Sequence, residues 1–342
     1  MNKNAKKWIF NALFLALVFG ATIYGLFNGQ DFSELSKNLE RADFRWMIPA
    51  IFCVVMFICL ESLIIYYLVH SLRCRARLPH CFLYSFAGFF FSCITPMVGG
   101  GQPAQIYLMN RDDIPVSVAT PVLMVVTITY KLVLILVGAV VLLFRPGAVG
   151  EYIEPVLPWC WLGFALAFSF TALLLALVYC PTLVERPLLW CMRRFARRFC
   201  PEKEKQWEER LGGFVMQYRD VSDYFKTHTQ VILIVLLVTF VQRFALFGVT
   251  YFSCRALGAP AAGFIKLAVL QAMISVAADM LPLPGGMGIT ESLFLKMFSP
   301  IWGDAALPVL IVSRGTSYYI QLIICAVFTA LAYFTIAKKR KE

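Results

Sequence analysis

Residues 95–103 read TPMVGGGQP and residues 281–288 read LPLPGGMG, and each run interrupts an otherwise apolar stretch of the chain. Proline removes a backbone donor and glycine favours non-helical backbone angles, so neither run continues a helix. Each flanking piece is too short to cross a bilayer, which takes roughly twenty apolar residues. The stretches 81–110 and 262–298 are therefore predicted to be re-entrant hairpins, each made of two half-helices.

The composition of the chain is that of a membrane protein. Of 342 residues, 60% are hydrophobic and 15% are charged, whereas a soluble domain carries about 25% charged residues. Together with the two hairpins, the long apolar runs predict an all-α polytopic membrane protein, with residues 1–342 as one integral membrane domain. The runs long enough to form spanning helices lie at residues 8–27, 46–70, 116–144, 159–180, 229–253 and 306–336.

The positions of lysine and arginine predict the orientation of the chain. The net charge is +11, and most of the basic residues fall in segments that are cytoplasmic if the N-terminus is cytoplasmic. This excess indicates charge that sets topology, so no nucleic-acid partner is expected. We expect a multi-pass protein of the cell (inner or plasma) membrane with both termini cytoplasmic. Basic and apolar residues alternate at helical spacing over 181–228, which predicts an amphipathic insert on the same side.

The two broken stretches also match each other. The pattern PxxGG occurs at residues 96–100 and again at 282–286, and PVLMV at 121–125 recurs as PVLIV at 308–312. The two matches have nearly the same offset, which indicates an internal duplication. Short apolar matches also arise by chance, and this remains the alternative.

A duplication of this kind predicts an inverted repeat. The equivalent helices 116–144 and 306–336 lie three crossings apart, since a hairpin adds none, and they therefore run in opposite directions. The first repeat then covers residues 8–144, and the second covers 159–336 and includes the insert at 181–228. In transporters with such repeats, discontinuous helices meet near the midplane of the membrane around the substrate site.

Polar residues at membrane depth are costly and commonly face a protein interior or a cavity, which makes them candidates for substrate binding. A half-helix that begins inside the membrane also directs free N–H groups and partial positive charge at its surroundings, and this favours an anionic head group. The candidate substrate-binding residues are Gly99, Gly100, Gln102, Gln105, Lys131, Arg243, Asp279, Gly285, Gly286, Glu291, Arg314 and Tyr318.

Several of these candidates have a structural alternative. The glycines equally suit close helix packing, and Glu291 is equally suited to pair with Arg314 or to stabilise its own helix N-terminus. Glu61 and Arg243 lie at comparable places in two spans, so a structural ion pair between them competes with a substrate role. Tyrosines such as Tyr318 are more often packing residues.

No catalytic arrangement emerges from the sequence. The three histidines lie near the ends of apolar runs, no spacing of Cys and His suits a metal, and neither a P-loop nor Gly-x-Ser-x-Gly is present. Most of the 11 cysteines lie inside apolar runs, where they act as small core residues. We therefore expect a protein that is not an enzyme, with no catalytic residues, no metal and no cofactor.

The segment LPLPGGMGITE at 281–291 resembles the transmembrane region of lysylphosphatidylglycerol synthase/flippases, a family of flippase-like membrane proteins. A looser family motif, Pro-x-x-x-Gly-Gly-x-Pro, appears at 96–103, where Gln102 and Gln105 replace acidic and basic residues often found in this region. The family pattern Pro-Gly-Gly-x-Gly-x-x-Glu, followed by a last helix with Arg and often Tyr, matches Pro284, Gly285, Gly286, Gly288, Glu291, Arg314 and Tyr318.

The resemblance covers essentially the whole chain and implies lipid translocation, in which a phospholipid or polyprenyl-phosphate-type lipid moves between leaflets. The sequence ends at Glu342 without a soluble aminoacyl-transfer domain, so lipid lysylation is not expected. Three other hypotheses remain: a carrier for a small anionic or amphipathic metabolite, a membrane enzyme acting on lipid head groups, and a non-transporting scaffold that binds a partner through 181–228. A homo-oligomer is compatible with each of them.

Overall fold

The structure is a computed structural model, and every regular element in its described residues is helical. The predicted first span at 8–27 lies outside these residues, as do Gly99, Gly285 and part of the 181–228 insert. For residues 204–210 only the backbone is described. The described residues are 42–95, 100–180, 182–183, 185–187, 190, 204–260, 262–281, 286 and 288–337.

The described α-helices differ widely in length, from 7 residues to 29. A π-helix, Gly315–Ile320, joins the last two α-helices, and a second one, Tyr333–Ala337, follows them. In chain order the α-helices are α1 (Phe44–Ser71), α2 (Leu78–Ile94), α3 (Gln102–Arg111), α4 (Val116–Phe144), α5 (Gly147–Ile153), α6 (Leu157–Tyr179), α7 (Glu204–Thr227), α8 (Thr229–Ala256), α9 (Phe264–Ala278), α10 (Ile289–Trp302), α11 (Ala306–Arg314) and α12 (Gln321–Ala332).

Five segments of the described chain are apolar and long enough to cross a membrane, with mean hydropathies between 2.0 and 2.6. Four of them are α1, α4, α8 and the segment made of α5 and α6, which agree with the predicted runs between 46 and 253. The fifth extends from Ile289 to Ile336 through α10, α11 and α12. The chain is therefore a polytopic α-helical membrane protein.

Both broken stretches consist of two short helices, α2 and α3 in the first and α9 and α10 in the second. Pro103 lies in the first turn of α3, where its missing N–H has no helical acceptor to lose. At the second break, Gly286 and Gly288 have φ angles of +67° and +82°, which residues with a side chain rarely adopt. That the two pairs enter and leave the membrane on one side stays a prediction.

Helices α1 and α8 pack against each other, and the remaining helices assemble around this pair. Two large apolar clusters fill the interior: one surrounds α2 and α3, and the other surrounds α9 and α10. The order of a long helix, two short helices and a long apolar segment occurs once from α1 to α4 and again from α8 to α12. The predicted inverted repeat requires such an order, and the repeat itself stays a prediction.

The amphipathic character predicted for the insert is present in α7. Val215, Tyr218, Val221 and Phe225 recur every three or four residues, and all are buried. Helix α7 packs against α4, α6 and α8, and the hydroxyl of Tyr218 donates to the carbonyl oxygen of Leu177 at 3.2 Å. Its placement on the cytoplasmic side stays a prediction.

Candidate functional site

A cavity of about 380 Å³ lies between the two broken stretches. Its walls come from both stretches, from α1, α4, α8 and α11, and from the π-helix that follows α11. Gly100 is not part of the lining, Glu291 lies next to it as the partner of a lining arginine, and Gly99 and Gly285 lie outside the described residues. The predicted binding residues that line the cavity are Gln102, Gln105, Lys131, Arg243, Asp279, Gly286, Arg314 and Tyr318.

Two of the lining cations are bonded to carboxylates that flank the second break. The Nζ of Lys131 on α4 binds the Oδ2 of Asp279, the residue that follows α9. The Nη2 of Arg314 lies 2.7 Å from the Oε1 of Glu291 in the first turn of α10, and its Nε donates to the same oxygen at 2.8 Å. The structural alternative for Glu291, a pair with Arg314, is therefore present. Both pairs fix the second break to long apolar segments.

The first break is held by hydrogen bonds that two neutral amides donate. The Nε2 of Gln102 donates to the Oγ1 of Thr127 on α4, and the Nε2 of Gln105 donates to the Oε1 of Glu61 on α1 at 3.0 Å. The two glutamines therefore hold the first break through hydrogen bonds, one to an alcohol and one to a carboxylate.

Two glycines allow the arms of the first broken stretch to approach closely. A Cβ on Gly88 of α2 would lie 2.3 Å from the Nε2 of Gln105 on α3, and a Cβ on Gly101 would lie 1.9 Å from the carbonyl oxygen of Gly88. A side chain at Gly88 would displace the side chain of Gln105, and one at Gly101 would displace the backbone of α2. Close packing, the alternative considered for the glycines of this break, is therefore a role of Gly101.

Arg243 on α8 differs from the other two lining cations. It is 2% exposed, and its guanidinium lies 3.9 Å from the centre of the Tyr130 ring and 4.9 Å from that of Phe247. No acceptor in the described part of the chain bonds to its Nε or Nη2. Buried polar groups in folded proteins almost always have a hydrogen-bond partner, so these two donors indicate an acceptor that enters the cavity.

The ion pair considered for Glu61 and Arg243 is not formed. Both side chains line the cavity, but the Oε1 of Glu61 accepts from Gln105, while the arginine stacks on an aromatic ring. The amide of Gln105, on the short helix α3, occupies the Oε1 of Glu61, and the sequence of the two spans contains no sign of this. Glu61 and Arg243 occupy comparable positions in their spans, and both line one cavity, but they do not form a pair.

Tyr318 lies in the π-helix and links the last apolar segment to the first broken stretch. Its hydroxyl donates to the carbonyl oxygen of Cys93 on α2 at 2.8 Å, and its ring centre lies 5.6 Å from the Cζ of Arg314. π-Helices occur frequently at functional sites. The tyrosine therefore both packs, as the alternative held, and lines the cavity.

Other polar lining residues are absent from the predicted set. Glu61 carried a signal, an acid near the middle of an apolar span, but Tyr130 and Thr127 carried none because tyrosine and threonine are common in spanning helices. Within the described residues, no cluster of three His, Cys, Asp or Glu could hold a metal ion. The chemistry of the cavity is therefore that of cations, carboxylates, amides and aromatic rings, which suits binding and orientation of a charged ligand.

Comparison with curated proteins gave no match to this chain. Comparison with models of protein families gave a match to the lysylphosphatidylglycerol synthase transmembrane region, over residues 9–325. The matched region contains both broken stretches and every residue of the cavity named above. The resemblance seen in the sequence is thus confirmed, and the chain belongs to the family of the lysylphosphatidylglycerol synthase transmembrane region.

Proposed function

We propose that this protein moves a lipid with an anionic, phosphate-bearing head group between the two leaflets of the cell membrane. The observation that supports it is the buried guanidinium of Arg243, which faces a cavity with two donors unbonded among the described residues. A phosphodiester supplies two acceptor oxygens at the spacing that an arginine fork binds. The cargo is a phospholipid or a polyprenyl-phosphate-type lipid, and both chain termini are placed in the cytoplasm.

The size of the cavity favours a head group over a whole lipid. Its volume of about 380 Å³ lies near the lower end of the range of about 300–1,000 Å³ for small-molecule pockets. A phosphate with a small alcohol fits this space, whereas two acyl chains do not. The acyl chains therefore stay in the surrounding lipid while the head group enters between the two broken stretches, and alternating exposure of these stretches carries it across.

The other cations have a different role in this proposal. Lys131 and Arg314 are held by Asp279 and Glu291, so a phosphate reaches them only by displacing a carboxylate. We assign them to positioning the second break and to stabilising the head group electrostatically. Arg243 makes the first contact because no carboxylate of the described chain competes for it.

Translocation in proteoliposomes tests this proposal. Fluorescent phosphatidylglycerol is reconstituted with the protein, and its appearance in the opposite leaflet is followed by quenching with dithionite. Arg243→Gln is expected to slow translocation about tenfold to a hundredfold, because a hydrogen bond to a charged group contributes about 1.5–3 kcal/mol. Arg243→Lys keeps the charge without the planar guanidinium, so its translocation rate should fall between those of the wild type and Arg243→Gln.

Arg255→Gln is the matched control, since Arg255 lies on the same helix, outside the cavity, with its Cζ 4.7 Å from the centre of the Trp46 ring. Its translocation rate should equal that of the wild type. Equal rates for folded Arg243→Gln and wild type would show that the phosphate site is elsewhere. Uptake of soluble glycerol phosphate without lipid movement would instead support the metabolite carrier.

A further inference from the structure

We propose that the same cavity binds a second ligand, a proton on the carboxylate of Glu61, and that this proton crosses the membrane together with the anionic lipid. The cargo in this inference rests on the proposed function, whereas the proton site is identified by the contacts of Glu61 alone. The protein would then be a proton–lipid symporter, and the proton gradient would supply its driving force.

Three carboxylates lie around the cavity, and two of them already hold a cation. Asp279 is bonded to Lys131, and Glu291 is bonded to Arg314. Glu61 is 8% exposed and its Oε1 accepts from a neutral amide, that of Gln105, at 3.0 Å. No basic side chain among the described residues forms an ion pair with Glu61. A carboxylate in this position is the one whose charge is least compensated.

The groups around Glu61 leave it as the site where a proton is exchanged. Gln105 is a neutral amide, and thiols and phenols are ordinarily neutral near pH 7. The described cations nearest to this carboxylate do not form an ion pair with it. Among the described residues, the titratable and charged groups that share the cavity with Glu61 or feel its charge are Cys93 of α2, Tyr130 and Lys131 of α4, Arg243 of α8, Asp279 after α9, Arg314 of α11, Tyr318 of the π-helix and Cys325 of α12.

Protonation of Glu61 preserves its existing hydrogen bond. The amide of Gln105 donates to Oε1, so the proton is taken up by Oε2 and the carboxylate becomes a carboxylic acid. The same oxygen releases the proton when the cavity faces the opposite side. One proton therefore enters and leaves for each cycle.

Charge balance couples this proton to the lipid. Among the described residues, Glu61, Asp279 and Glu291 balance Lys131, Arg243 and Arg314, so these six side chains have no net charge while Glu61 is ionised. Once Glu61 is protonated, one positive charge is in excess, and a phosphodiester with one negative charge restores neutrality. Lipid and proton must then favour each other's binding by the same factor, since such coupling is reciprocal.

The experiment measures translocation of fluorescent phosphatidylglycerol in proteoliposomes with different pH values inside and outside, under a clamped membrane potential. Transport in the wild type should run toward the more alkaline side, and proton arrival there should be detected by a pH-sensitive dye. Lipid affinity should fall as pH rises, by at most about tenfold per pH unit, the limit for one linked proton.

Glu61→Gln keeps an oxygen for the bond from Gln105 but cannot take up a proton. Its lipid affinity should stay at the acidic wild-type level at every pH, and proton movement should disappear. Glu61→Asp should restore a pH response, which a purely structural role of the side chain would not explain. Glu185→Gln, at a surface pair with Arg219, is the matched control and should keep the wild-type response.

Each outcome separates this inference from the proposed function. If the wild type translocates lipid independently of the pH gradient and moves no protons, the symport is overturned while the proposed lipid translocation stands. A full pH response in folded Glu61→Gln would overturn the assignment to Glu61. Absence of lipid movement in the wild type would refute the proposed function itself, and an unaffected Arg243→Gln would refute its phosphate site.

Discussion

The buried pair between Lys131 and Asp279 makes a prediction that needs no knowledge of the cargo. Asp279→Asn removes the carboxylate and leaves the ammonium, whose side chain is 5% exposed, without a charged partner. Removal of one partner of a buried pair destabilises a protein by about 3–5 kcal/mol. The side chain of Asp279 is 21% exposed, so we expect Asp279→Asn to destabilise the protein by the lower end of this range, about 3 kcal/mol.

Two other ion pairs of the structure provide an internal scale. The side chains of Arg314 and Glu291 are 22% and 26% exposed, and those of Arg219 and Glu185 are 50% and 30% exposed. Exposed pairs contribute about 0–1 kcal/mol, because water screens the charges. The coupling energy should therefore be largest for the pair of Lys131, intermediate for that of Arg314 and smallest for that of Arg219.

Double-mutant cycles in detergent micelles measure these coupling energies from denaturant unfolding. For the first pair the variants are Asp279→Asn, Lys131→Met and the two together. The double variant should recover much of the stability lost in Asp279→Asn, since it leaves no unpaired ammonium. A coupling energy for Lys131 and Asp279 no larger than that for Arg219 and Glu185 would refute the assignment of a buried pair that fixes the second break.

Two further predictions concern packing. A Cβ on Gly163 of α6 would lie 2.1 Å from the carbonyl oxygen of Val276 on α9, so Gly163→Ala should destabilise the protein by about 1–3 kcal/mol. Gly147→Ala, with open space around it, is the control in the same thermal unfolding experiment. Equal melting temperatures for the two variants would contradict the close packing of Gly163. Tyr318→Phe should lower the free energy of unfolding by about 1 kcal/mol through loss of the bond to Cys93, and a stability equal to that of the wild type would mean that this bond contributes nothing.

Apolar length alone predicts the long helices well. The run at 116–144 has the same bounds as α4, and the run at 46–70 is extended by two residues at its start and one at its end in α1. The breaks are equally predictable, since Pro and Gly there have local reasons to stop a helix. The π-helix after Arg314 is not, because an extra residue in a helical turn leaves the pattern of apolar residues almost unchanged.

The cavity shows where such reasoning stops. Polar residues at membrane depth predicted much of the cavity lining, because such residues are costly where a spanning helix faces lipid. Their partners depend on how helices distant in the sequence approach one another, as for Lys131 and Asp279, which are 148 residues apart. The pair considered for Glu61 and Arg243 was wrong for this reason: Gln105, on a short helix, occupies the carboxylate.

The two breaks also differ in how readily each can be displaced. At the second, any movement of α9 or α10 away from its neighbours must separate opposite charges in a medium of low dielectric constant. At the first, Gln102 and Gln105 donate through neutral amides, and water can take the place of either donor without separating opposite charges. The second broken stretch is therefore held by opposite charges and the first is not, so the two halves need not contribute equally to a cycle even if they arose from one duplicated segment.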